Sequence, residues 1–226
     1  MTDAHCHLVR GESRHLICEP RTGEVGADDI VFYGTHPWYL DGYDEAALRA
    51  RLEANPAAGV GEIGLDRLKD RNISPRMREI FESQLKLAAE FQRPVVLHGA
   101  KCWGEVVKAV QSVERSVQSL GWKIPACLFH GFSRSGGLLP DIVALNGFIS
   151  VGPAVLNDHA VNYRKFVQEI PLERLLVESD ATAETTAEIP SVKDIAAKLA
   201  ELRGFSPDAL EEILEKNLEN FLGRSH

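Results

Sequence analysis

Residues 58–98 read AGVGEIGLDRLKDRNISPRMREIFESQLKLAAEFQRPVVLH, and their pattern is that of a strand, a helix and a second strand. The first six and the last five residues are short, mostly apolar runs, which are typical of buried strands. Residues 75–92 carry apolar side chains on one helical face, with Ser74 as the predicted N-cap and Pro75 at the first helical position. A helix that joins two strands in this way predicts a βαβ unit, whose strands are parallel.

The alternation continues on both sides of this unit and gives eight predicted strands. They are residues 4–8, 15–18, 30–35, 58–63, 94–98, 126–130, 147–151 and 174–178. A final helix is predicted at 206–221, where Ser206 and Pro207 start it and Gly223 follows its end. Eight strands alternating with helices predict an α/β fold, the (β/α)8 TIM barrel.

The N-terminal part of the chain is short for this fold. Only 25 residues separate Leu8 from Gly34, whereas each strand-crossover-strand unit takes about 30 residues. We therefore expect one or more outer helices to be missing near the N-terminus. No linker, low-complexity segment or internal repeat divides the sequence, so residues 1–226 are predicted to form one domain.

The composition is that of an ordinary globular protein with a net charge of -8. This charge offers no overall basic surface to long duplex nucleic acid, so an anionic substrate has to be bound locally. The four cysteines are scattered and form no Cys-x-x-Cys pair, which argues against a disulfide framework or a structural zinc site. No apolar run approaches the ~20 residues of a membrane helix, and we expect a cytoplasmic protein without a membrane partner.

Two histidines, His5 and His7, lie in the first predicted strand. Residues i and i+2 of a strand project to the same face, so both imidazoles can ligate one metal ion. Functional side chains of a TIM barrel lie at the C-terminal ends of its strands. Ligand-type side chains occur at five such ends: His5, His7, Glu62, His98, His130 and Asp180. The sequence therefore predicts a metal centre at the mouth of the barrel.

Together these motifs resemble the TatD family of metal-dependent deoxyribonucleases within the amidohydrolase superfamily. The segments that carry the resemblance are 3–8, 34–37, 61–66, Gln84 with 94–98, 130–133, 178–180 and 217–221. The resemblance implies two divalent ions, of Mg, Mn or Zn, that share Glu62. It assigns His5, His7, Glu62 and Asp180 to one ion, and Glu62, His98 and His130 to the other.

The resemblance also implies an activity, that of a phosphodiesterase cleaving DNA from a free or single-stranded end. The attacking group would be a hydroxide shared by the two ions, with Glu62 and Asp180 as catalytic residues and Asp180 as the acceptor of the water proton. Four neutral histidines and two carboxylates contribute about -2 against +4 from the ions, so the loaded site attracts phosphate.

Several side chains near the predicted mouth are candidates for binding the substrate. Arg67 and Lys69 follow the Glu62 strand, and Lys101 follows the His98 strand, where cations can contact phosphate. The family pattern places His36 beside the site as a further substrate contact.

Three aromatic residues also follow predicted strand ends. Trp38, Tyr39 and Trp103 are candidates for stacking on an unpaired base, and packing at the rim is the alternative.

The chain departs from the family pattern at two positions. Ala100, followed by Lys101, stands where the family usually has an arginine, and Thr182 stands where a proline is usual. Because lysine is only a point charge where arginine binds phosphate with two hydrogen bonds, the substrate stays open at this point. The alternative is an amidohydrolase-type deacylase or esterase that acts on a small-molecule or aminoacyl substrate with the same centre. A non-catalytic metal-binding protein is the third hypothesis, and the oligomeric state stays open as well.

Overall fold

The computed structural model describes residues 1–9, 13–19, 25–133, 136–183 and 190–224. The strands in these residues are β1 (Thr2–Cys6), β2 (Arg14–Cys18), β3 (Ile30–Tyr33), β4 (Gly59–Asp66), β5 (Val95–Ala100), β6 (Cys127–Phe129), β7 (Gly147–Val151) and β8 (Leu175–Val177). The helices are α1 (Glu45–Ala54), α2 (Pro75–Phe91), α3 (Trp103–Gln118), α4 (Leu139–Ala144), α5 (Val161–Glu169), α6 (Val192–Arg203) and α7 (Pro207–Phe221). Each strand pairs in parallel with the next along the chain, in the order β1 to β8.

The sheet closes where the end of β8 meets β1. The amide of Asp180 donates to the carbonyl of His5 at 3.1 Å, and the amide of His7 donates to the carbonyl of Ala181 at 2.8 Å. The buried carboxylate of Asp3 accepts hydrogen bonds from the Ser179 amide at 2.9 Å and from its hydroxyl at 2.5 Å. These contacts complete the predicted (β/α)8 barrel, and the fold prediction is confirmed.

The first two connections differ from the others, as the sequence predicts. No helix lies in the described parts of the segments that join β1 to β2 and β2 to β3. The next five connections each carry a helix, from α1 to α5 in order. Within the described residues, no helix combines the length and the apolar character needed to span a membrane.

Most element boundaries fall close to the predicted ones. The hydroxyl of Ser74 accepts from the Met77 amide at the start of α2, so the predicted N-cap is confirmed. Strand β1 ends at Cys6, earlier than predicted, and His7 lies in the following loop. Strand β4 extends three residues further than predicted, to Asp66.

The barrel interior is closed by α7 at the end opposite the mouth. Asn217 on α7 donates to the carbonyls of Leu172 and Leu175, at the start of β8. The ring of Phe221 stacks on Phe32 with centroids 6.2 Å apart, and it meets Phe148 edge to face at 5.7 Å. The last turn of the chain's final helix therefore fills the space between the strands.

We predict that Phe221→Ala lowers the free energy of unfolding by about 3–5 kcal/mol, because it leaves a cavity inside the barrel. Chemical denaturation measures this change. Leu120→Ala is the control, since Leu120 is 59% exposed, and it should change the free energy by less than about 0.5 kcal/mol. Equal effects of the two substitutions would show that α7 does not seal the interior.

Candidate metal centre

The carboxylate of Glu62 lies at the centre of the mouth and is buried among histidines. Its Oε1 atom is 2.5 Å from Nε2 of His130 and 2.6 Å from Nδ1 of His98. Its Oε2 atom is 3.1 Å from Nε2 of His7 and 3.7 Å from Nε2 of His5. The two oxygens of one carboxylate therefore face two different pairs of imidazoles.

The charges of this cluster depend on one another. Burial raises the pKa of a carboxyl, but the charge and hydrogen bond of His130, with those of His7 and His98, hold the pKa of Glu62 well below its usual range. Burial lowers the pKa of His130, yet the charge of Glu62 outweighs it and raises that pKa to about 10. Glu62 is thus ionised, as a carboxylate that binds metal has to be.

His5 provides the clearest sign of a missing partner. It is fully buried, and neither ring nitrogen has a hydrogen-bond partner among the described residues. Burial, with the charge of His130, lowers the pKa of His5 to about 4, so the imidazole is neutral at pH 7 and keeps a free lone pair. A buried polar atom without a partner costs about 1–3 kcal/mol. The donor set around His5 therefore fits a divalent metal ion.

Asp180 follows β8 and lies on the open side of the cluster. Its Oδ1 atom is 3.5 Å from Nε2 of His5, and 49% of its side chain is exposed. Although burial raises the pKa of this carboxyl, the neighbouring imidazole of His5, together with the charge of His130, lowers the pKa of Asp180. The carboxylate is therefore ionised and accessible to water.

Ligand atoms of these side chains form three overlapping groups, within each of which all atoms lie within 4.8 Å of one another. The groups are His5, His130 and Asp180; His5, His7 and Glu62; and His36, Glu62 and His98. The structure thus brings all six predicted metal ligands together and places His36 beside them.

Two of the histidines are oriented by groups outside the cluster. His7 donates from Nδ1 to the carbonyl of Cys18 at 3.0 Å, so Nε2 turns towards Glu62. His98 places Nε2 2.8 Å from Oδ2 of Asp66, so Nδ1 turns towards Glu62. Such outer partners fix the ring and the tautomer of a metal-binding histidine.

His36 presents a proton rather than a lone pair to the cluster. Its Nδ1 accepts a hydrogen bond from the amide of Trp38 at 3.1 Å. Burial lowers the pKa of His36 to about 4, so the ring is neutral and its single proton sits on Nε2. That nitrogen is 3.9 Å from Oε1 of Glu62. His36 is therefore placed to donate a hydrogen bond into the mouth.

The predicted cationic contacts are only partly available to a substrate. Arg67 pairs with Glu105 at 2.6 Å, and Lys69 donates from Nζ to the carbonyl of Trp38 at 3.1 Å. Lys101 is exposed at the end of β5.

The three aromatic candidates for base stacking differ in their exposure. Trp103 is 6% exposed and packs on Phe129 and Phe132, so of the two alternatives packing holds for this residue and stacking does not. The first residue of α3 turns its side chain to the core. Trp38 and Tyr39 are exposed.

Sequence reasoning missed two buried carboxyl groups. Asp66 binds His98, and its position four residues after Glu62, on the same strand, is the signal from which this contact could have been predicted. Glu178 accepts from the amide of Gly131 at 2.7 Å and from the hydroxyl of Ser150 at 2.5 Å, and burial raises its pKa to about 7.

The chain matches known proteins along most of its length. The sequence model of the family described as TatD related DNase matches residues 21–223. The metal-dependent hydrolase YabD of Bacillus subtilis is 28% identical over 165 residues, which cover 70% of this chain and 62% of YabD. YjjV of Escherichia coli, also named a metal-dependent hydrolase, is 31% identical over 153 residues, which cover 66% of this chain and 56% of YjjV. The chain thus matches about three fifths of the length of these relatives.

Two further matches cover a larger share of the matched protein. TatD of Citrobacter koseri, named a 3′-5′ ssDNA/RNA exonuclease, is 24% identical over 207 residues, which cover 84% of this chain and 76% of that protein. The crystal structure of YjjV has a TM-score of 0.81 over 97% of this chain and 96% of YjjV, at 23% identity, and shows the same fold. Because the family model matches nearly the whole chain, the chain belongs to the TatD family of related DNases.

Proposed function

We propose that this chain is a metal-dependent phosphodiesterase that cleaves single-stranded nucleic acid from a free end. Family membership supports the hydrolytic activity, and the name of the Citrobacter koseri relative supports single-stranded DNA or RNA as substrate. The observation that carries the proposal is the Glu62 carboxylate, whose two oxygens face separate pairs of histidines.

This arrangement suits a centre of two divalent ions that share Glu62. We assign His5, His7 and Asp180 to the ion on the Oε2 side, and His98 and His130 to the ion on the Oε1 side. Two such ions polarise the phosphoryl oxygens of a substrate, lower the pKa of the attacking water and stabilise the leaving oxygen.

Other groups act on the substrate and on the proton. Asp180 accepts the proton of the attacking water, because it is ionised, half exposed and adjacent to His5. His36 donates a hydrogen bond from Nε2 to a phosphate oxygen. This hydrogen bond strengthens as negative charge develops on that oxygen. Arg67, Lys69 and Lys101 add positive charge at the rim, although the first two are also tied to protein groups.

The alternative substrate, a small-molecule or aminoacyl ester or amide, has no comparable support. The Citrobacter koseri relative, whose name gives its substrate, is a nuclease. A direct comparison of the two substrate classes therefore tests the proposal. Protein reconstituted separately with Mg²⁺, Mn²⁺ and Zn²⁺ is given end-labelled single-stranded DNA, RNA and duplex DNA, alongside a panel of esters and amides.

We predict stepwise shortening of the single strands, loss of activity with a chelator and slower cleavage of the duplex. The reason for the last effect is that a paired end must open before it reaches a recessed centre. Efficient hydrolysis of an ester or amide by a protein that leaves nucleic acid intact would replace this proposal with the alternative.

A second prediction concerns the shared carboxylate. Glu62→Gln should lower the content of bound metal from two ions to fewer than one per chain and reduce activity at least about hundredfold, because both ions lose a ligand. Metal analysis and initial rates measure the two effects. Glu53→Gln, at an exposed position on α1, is the matched control and should change neither. Normal metal content in Glu62→Gln would remove the bridging role.

A third prediction concerns Asp66, which is fully buried and holds two parts of the mouth at once. Its Oδ2 atom binds His98, while Oδ1 accepts from the amides of Leu68 at 2.5 Å and Lys69 at 3.0 Å. Asp66→Ala should speed hydrogen exchange at both amides about ten- to a hundredfold, the effect of losing a bond to a charged acceptor. It should also weaken metal binding by about the same factor.

The matched control for this prediction is Asp44→Ala, which removes the N-cap of α1. The Asp44 carboxylate accepts from the Ala47 amide at 3.0 Å, and α1 contributes no side chain to the cluster. This substitution should speed exchange at the start of α1 and leave metal affinity unchanged. If the exchange of Leu68 and Lys69 stays slow in Asp66→Ala, the account of Asp66 is wrong.

A further inference from the structure

Trp38 and Tyr39 form an exposed aromatic pair on the loop that follows β3. Their exposed fractions are 42% and 51%. The rings of Trp38 and His36 are nearly perpendicular with centroids 5.0 Å apart, and the Tyr39 ring lies 5.9 Å from His36. His36 in turn faces Glu62 at 3.9 Å. A single imidazole therefore separates the aromatic pair from the candidate metal centre.

The neighbouring loop after β4 lies against this pair and adds positive charge. Lys69 donates to the carbonyl of Trp38 at 3.1 Å, and Arg76 donates to the carbonyl of Leu40 at 3.4 Å. Leu68, beside Lys69, is 56% exposed and extends the apolar surface. Asp41 lies 3.8 Å from Arg76 and offsets part of its charge. Exposed rings next to anchored cations thus line one side of the mouth.

This combination is that of a surface for unpaired nucleobases. A base stacks on an aromatic face whatever its sequence, while lysine and arginine contact the phosphates that join successive bases. Bases inside a duplex are covered by their neighbours and cannot reach such a face. The surface therefore selects for single strands through the bases, whereas the metal centre acts on the phosphate.

We propose that Trp38 and Tyr39 form a base-binding subsite, in which an unpaired nucleobase near the scissile phosphate stacks on the indole of Trp38. Lys69 binds a phosphate that adjoins this base. The inference rests on the proposed function, because it takes the substrate to be a nucleic acid, and it adds the groups that recognise the strand beyond the reacting phosphate.

The test compares two strands that differ only in their bases. One is a short oligothymidylate, and the other is an abasic oligonucleotide of the same length and charge. The metal-reconstituted protein should bind and cleave the oligothymidylate with a dissociation constant and a KM about ten- to a hundredfold lower than those for the abasic strand. Trp38→Ala should abolish most of this discrimination, and Trp38→Phe should retain most of it.

Tryptophan fluorescence gives a readout that does not depend on cleavage. Oligothymidylate should quench the emission, whereas the abasic strand should not. The quenching should persist in Trp122→Phe, whose substituted residue precedes β6, and disappear in Trp38→Phe. Lys69→Gln should lower the salt dependence of binding by about one phosphate contact for both strands.

The outcomes separate the subsite from the proposed function. If the protein cleaves both strands with equal KM, or if Trp38→Ala discriminates as the parent does, the subsite is overturned while the nuclease function stands. If the protein hydrolyses neither strand, the proposed function fails. In that case, base-dependent quenching through Trp38 would still support a subsite for unpaired bases, and its absence would overturn it.

Discussion

A buried carboxylate, that of Glu62, is the constraint on which the mouth of this barrel depends. An ionised carboxylate inside a protein is costly unless cationic or hydrogen-bonding partners surround it. Here the partners are imidazoles that lie on β5 or directly after β1 and β6, and they meet only because the sheet closes. The Asp3–Ser179 contacts at the seam between β1 and β8 therefore also position His5 and Asp180. The contacts that close the sheet therefore also bring the side chains of the site together.

A second feature of the site is that three of its imidazoles bind a partner outside the cluster through one ring nitrogen and face the mouth with the other. Outer acceptors orient two rings: the carbonyl of Cys18 binds Nδ1 of His7, and Asp66 binds Nε2 of His98, so the other nitrogen of each ring faces Glu62. The outer partner of His36 is instead a donor, the amide of Trp38. It occupies the lone pair of Nδ1 and leaves the proton on Nε2, which faces the mouth. The outer partner of each imidazole thus decides which of its nitrogens faces the mouth.

The sequence predicts the fold and the proximity of the six candidate side chains well, because both follow from local patterns. Strand and helix periodicity predicts the eight strands and the helices that join most of them, and polar side chains at the predicted strand ends give the six ligand candidates. Features that depend on distant contacts are not predictable in this way. The buried position of Trp103 and the contact of Asp66 with His98 each require a partner from another strand or loop. The tautomer of His36 depends on the amide of Trp38, two residues away, and therefore on a loop conformation that strand and helix periodicity does not predict. The two boundary differences, at β1 and β4, likewise reflect pairing with neighbouring strands.

The most direct test of this account is anomalous X-ray scattering from crystals of the protein grown with Mn²⁺. The account predicts two peaks about 3.5–4 Å apart, one on the Oε1 side of Glu62 next to His98 and His130, the other on the Oε2 side next to His5 and His7. A single peak, or two peaks that leave the Glu62 carboxylate unbound, would contradict the shared centre.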